Sequence, residues 1–135
     1  MPPVTDGLTR PAPGQPVTAS VTCGGLTFVG ASESAHTTFV FCRQLDLIFD
    51  IGSVVDAMLP IDTVLISHTH QDHLLGLTRY ICLRRLQGMK PPRVLLPEAS
   101  VKPVRRLLAV WQELEGGADR IPPDVALEPV EAGQE

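Results

Sequence analysis

Six consecutive residues, His68-Thr69-His70-Gln71-Asp72-His73, hold three of the four histidines in the chain together with a carboxylate. They follow Thr63-Val64-Leu65-Ile66-Ser67, a β-branched and apolar run of buried-strand character, and precede Leu74-Leu75-Gly76-Leu77, where a helix can begin. A chain that leaves the strand extended points residues two apart to one side, so His68, His70 and Asp72 share a face. The start of the helix then swings His73 round. The loop thus offers two donor sets: the imidazoles of His68 and His70, and the carboxylate of Asp72 beside the imidazole of His73. Helical H-E-x-x-H sites need ligands at i and i+4, so the spacing here requires a loop. Imidazole and carboxylate donors suit zinc and its first-row neighbours, with one position kept open for water in a catalytic site. The plainer alternative is a polar turn in which Asp72 caps the next helix and the histidines are solvated.

Around this loop, the 135 residues, 44% hydrophobic and 19% charged, suffice for one small domain. No apolar run is long enough to span a bilayer and no secretory signal opens the chain, which implies a cytoplasmic location and no membrane partner. Cys23, Cys42 and Cys82 are odd in number and form no C-x-x-C, so they read as buried small residues in a reducing compartment. Residues 1–16 carry five prolines and two glycines, and read as a flexible Pro-rich tail.

From Val17 onward, period-two alternation and short apolar runs predict strands over 17–23, 26–29, 37–42, 45–49, 63–66 and 93–96, with 37–42 and 45–49 forming a hairpin. Helices are predicted over 53–59, where Ser53 and Asp56 offer a capping box, over 73–87, ending at Gly88, and over 100–114. Leu74, Leu77, Tyr80, Ile81 and Leu83 give the second helix an apolar face, and Val104, Leu107, Leu108 and Trp111 turn the third one inward. Strands alternating with helices imply a layered α/β fold. His36 stands alone in a polar loop and falls outside the ligand set. Of eleven Lys and Arg residues, eight lie between Arg79 and Arg106 with Glu98 as the sole acid among them. Such a basic face could meet RNA phosphates, although two solvated helix faces would look the same in sequence.

The sequence HTHQDH resembles the H-x-H-x-D-H signature of the metallo-β-lactamase superfamily. The Gly76-Leu77 that follows is similar to its ribonuclease Z branch, and LIFDIG (Leu47 to Gly52), ISHTHQDHLLGL and GMKPPRVLLPEASVKPV (Gly88 to Val104) resemble the short, plant-type form. The similarity runs from about Thr22 to Glu135.

The resemblance implies an αββα sandwich of which residues 17–135 are the N-terminal half, and two Zn2+ ions per complete site. It implies His68, His70, Asp72 and His73 as metal ligands, Asp72 also as the acceptor of the attacking water's proton, and Asp50 as a carboxylate supporting the ligands from behind. The implied activity is a zinc-dependent phosphodiesterase trimming the 3′ end of precursor tRNA as a homodimer. Alternatives are hydrolysis of a small phosphodiester and a non-catalytic half-domain. The family's further histidine and aspartate ligands come from a second half, and no histidine follows His73. On that reading the chain is truncated and inactive alone.

Overall fold

The computed structural model describes residues 5–9, 15–117, 121 and 125–133. Among the described residues, eight strands form one sheet in chain order: β1 (Thr5–Thr9), β2 (Thr18–Cys23), β3 (Leu26–Glu33), β4 (Thr37–Cys42), β5 (Leu47–Ile51), β6 (Thr63–Leu65), β7 (Arg93–Pro97) and β8 (Ala126–Val130). The first five pair antiparallel and β5 through β8 pair parallel. Parallel neighbours need crossovers, and helices supply them. Helices α1 (Gln71–Leu74) and α2 (Leu77–Leu86) join β6 to β7, and α3 (Glu98–Leu114) lies between β7 and β8.

The register explains the layering. Phe41, Ile48, Val64, Val94 and Leu127 stand in one cross-strand row, all buried, and form a single core with Leu77, Ile81, Val104 and Leu108 of the helices. The neighbouring row, Val40, Phe49, Leu65, Leu95 and Glu128, projects to the opposite face and is only half-buried. The mixed α/β layered architecture expected from the sequence is thus present, as one helical layer on one face of a sheet.

Several elements differ from expectation. Instead of a helix over 53–59, the chain makes a 3-10 turn, Asp56–Met58. The Ser53 hydroxyl receives a hydrogen bond from Thr37 Oγ1 (2.7 Å) rather than capping a helix, and Val55 N–H donates to Met58 Sδ (3.4 Å). The helix expected over 73–87 begins at Gln71 and breaks at Leu75-Gly76, because Gly76 N–H donates to Ile51 O (2.8 Å) in β5 instead of continuing the helical ladder. Gly88, at φ 72, sits just beyond α2 as the left-handed terminator anticipated.

Strand β8 was not anticipated, and Thr5–Thr9, inside the segment read as a tail, pairs with β2 as an edge strand. Residues 1–4 and 10–14 of that segment lie outside the described residues. In α3, Val104 and Leu108 are buried as expected, but Leu107 (40% exposed) and Trp111 (41% exposed) are not. They line a groove of about 700 Å³ with Leu75, Cys82, Leu83 and Leu86. Of the three free cysteines only Cys42 is buried.

The inner end of α2 is locked by a buried guanidinium. Arg84 donates to Leu59 O, Ile61 O and Lys90 O and pairs with Asp62, which Lys90 also reaches (2.8 Å). Tyr80 OH donates to the same Ile61 carbonyl. Much of the basic run is therefore committed internally, since Arg93 binds Glu128 in a two-pronged pair and Arg105 donates to Val125 O.

Candidate metal centre

After β6, Ile66 N–H still donates to Leu95 O (2.8 Å), so the chain is anchored to β7 until the loop begins. It bends at Ser67, is extended at His70 (φ −62, ψ 151) and turns helical at Gln71, with His73 N–H closing on His70 O (3.0 Å). The histidine loop is therefore not part of a continuous helix. Within it, the rings of His68 and His70 lie 4.6 Å apart edge to face. The turn of α1 brings the His73 ring to 4.0 Å from that of His68, and sets His73 Nε2 3.4 Å from Asp72 Oδ2. Thr69 and Gln71 face the apolar groove, and Thr69 Oγ1 lies 3.3 Å from Ser100 Oγ at the start of α3. His36 is exposed in the turn after β3, its N–H bonded to Glu33 O (2.9 Å).

Behind the loop stands Asp50, buried near the end of β5. Its Oδ1 accepts from Ser67 N–H (2.7 Å), and its Oδ2 accepts from Ser67 Oγ–H (2.7 Å) and lies 2.9 Å from His73 Nδ1. The backbone of Asp50 is left-handed (φ 57), a conformation that aspartate tolerates better than most residues. That twist comes just where β5 yields to the tight Ile51-Gly52 corner. Gly52 is required there, since a Cβ on it would lie 1.9 Å from Asp72 O.

Three imidazoles and a carboxylate, on a loop and the helical turn that follows it, are a donor set that zinc and related metals accept. In this arrangement the donors come in pairs, and no group of three His, Cys, Asp or Glu that could hold one ion occurs among the described residues. The contact between Asp50 and His73 is the kind of outer carboxylate that fixes a ligand imidazole's tautomer. Two contributors escaped the sequence reading, Ser67 and Gly52. Both adjoin residues that were singled out, and only their partners 17 and 20 positions away in the chain reveal what they do.

No protein-family model matches the chain. It is 34% identical to tRNase Z TRZ1 of Arabidopsis thaliana over 91 residues, 67% of this chain and 32% of that protein. To the nuclear ribonuclease Z of Triticum aestivum it is also 34% identical over 91 residues, 67% of this chain and 52% of that protein. A third relative, anti-Pycsar protein Apyc1 of Saccharibacillus brassicae, is 41% identical over 61 residues, 44% of this chain and 23% of that protein. The chain thus spans between about a quarter and about half the length of these relatives. In its H-x-H-x-D-H segment, its layered fold and 67% of its length, the chain is thus similar to proteins named tRNase Z and ribonuclease Z.

Proposed function

We propose that the protein is a zinc-dependent endoribonuclease that processes the 3′ end of precursor tRNA, with residues 17–135 contributing the N-terminal half of the metal-binding domain. The observation that carries this reading is the pairing of His68 with His70 in the loop and of Asp72 with His73 at the start of α1, with Asp50 behind His73. The names of the tRNase Z relatives support the substrate. His68 with His70, and Asp72 with His73, would each hold one of two zinc ions. Bound there, zinc supplies Lewis acidity toward a phosphate oxygen and lowers the pKa of a water to about 7. Asp72 would accept a proton from the attacking water. Asp50 holds the His73 ring so that Nε2, not Nδ1, turns toward the site.

A homodimer is part of the proposal, supported by the apolar side chains that α2 and α3 leave exposed along their groove. A cytoplasmic setting is proposed from the three free thiols, which suit a reducing compartment. No helix among the described residues is long and apolar enough to cross a membrane. A second reading is hydrolysis of a small phosphodiester, since the fold does not by itself fix the substrate. Cleavage assays on the protein carrying this chain separate the two. Release of the 3′ trailer from a precursor tRNA, abolished by Asp72→Ala with RNA binding retained, supports the first. Turnover of a small diester with no tRNA cleavage supports the second.

A further inference from the structure

Ser67 stands between the buried carboxylate and the first histidine of the loop. Its hydroxyl donates to Asp50 Oδ2 at 2.7 Å, and its oxygen lies 3.0 Å from His68 Nδ1. A serine hydroxyl has one proton. With that proton committed to Asp50, the oxygen can only accept from His68, so Nδ1 of His68 must carry the hydrogen and Nε2 keeps its lone pair. His73 reaches the same state directly, since its Nδ1 lies 2.9 Å from the same Asp50 Oδ2. Ser67 is itself held, because its own N–H donates to Asp50 Oδ1 at 2.7 Å.

We propose that Ser67 is a positioning residue that carries the control of Asp50 to His68, so that one carboxylate fixes the tautomer of two loop imidazoles, one directly and one through a hydroxyl. Its consequence for metal affinity rests on the reading of His68 and His73 as ligands. The economy follows from geometry. The rings of His68 and His73 lie 4.0 Å apart, so one buried acceptor serves both, and a second carboxylate beside Asp50 would add like-charge repulsion. It also makes the two donor pairs interdependent, because Asp50 backs one member of each.

The test uses the metal-free, nitrogen-labelled chain at about pH 8. Long-range proton–nitrogen correlation spectra then distinguish the two ring nitrogens. In the wild type His68 and His73 are both expected as the Nδ1–H form. In Ser67→Ala, His68 should drift toward the mixture of a free imidazole while His73 is unchanged, and Ser67→Thr, which keeps a hydroxyl, should restore His68. Zinc affinity, read by competition with a chromophoric chelator, should fall about 10–100-fold in Ser67→Ala and recover in Ser67→Thr. An Nε2–H form of His68 in the wild type, or a His68 tautomer indifferent to Ser67→Ala in a chain with otherwise native amide spectra, overturns the proposal. Wild-type zinc affinity in His68→Ala overturns the ligand reading instead, and the tautomer result stands apart from it.

Discussion

Asp50 and His73, 23 positions apart in the chain, meet at 2.9 Å between Oδ2 and Nδ1 because Asp50 adopts a left-handed backbone at φ 57. The strain and the hydrogen bonds can be pulled apart by substitution. Asp50→Ala loses the bonds to Ser67 and His73 and keeps the strain, whereas Asp50→Gly loses the same bonds and relieves it. The glycine variant should therefore be the more stable of the two by about 1 kcal/mol in denaturant titrations. Equal stability would mean that the left-handed backbone costs nothing at this corner.

Gly52, just after β5, lies directly against the backbone of Asp72 in α1. Its N–H donates to Thr38 O (2.9 Å), and a Cβ at this position would meet the Asp72 carbonyl oxygen at 1.9 Å, far inside any tolerated contact. Gly52→Ala must push α1 away from β5. The expected outcome is a loss of roughly 2–4 kcal/mol in stability together with shifted His73 and Asp72 resonances. Native stability and unshifted resonances in this variant would contradict so close a packing.

The Arg84 network predicts both limbs of a pH–stability profile. Hydrogen bonding to Lys90 and then to Arg84 holds the Asp62 carboxyl below its usual range, so its contribution is present above about pH 4 and is lost as pH falls through the lowered value. Burial pushes the Tyr80 hydroxyl up, so its contribution is intact below about pH 10 and is lost as pH rises further. Tyr80 is the only tyrosine in the chain. Phenolate absorbance should accordingly appear together with unfolding, not ahead of it. Asp62→Asn should flatten the acid limb, and Tyr80→Phe the alkaline one.

What the sequence revealed and what it hid divide along the line between local pattern and distant contact. Strands β2 to β7 alternate or run apolar strongly enough to be read locally, and the loop histidines announce themselves by spacing. The break between α1 and α2 does not, because Leu74, Leu77 and Ile81 keep helical period across it. What interrupts the helix is the bond from Gly76 to Ile51, and a Cβ there would lie 2.7 Å from the Ile51 oxygen. Similarly, Leu107 and Trp111 have the spacing of an inward stripe on α3, yet the sheet covers only the side bearing Val104 and Leu108. Strand β8 carries Pro129, a weak strand signal that is tolerated at the end of the sheet order. The roles of Ser67 and Gly52 depend on where Asp50 and Asp72 come to rest, which no local window contains.

The most direct test is a zinc titration of the chain, wild type against the His68→Ala/His70→Ala double variant, read by competition with a chromophoric chelator and checked by elemental analysis. The loop as described predicts zinc binding by the wild type that is mostly lost in the double variant, with both proteins retaining the same fold by circular dichroism. Zinc bound equally by both would contradict the assignment of His68 and His70 as ligands, and with it the metal centre on which the proposed activity depends.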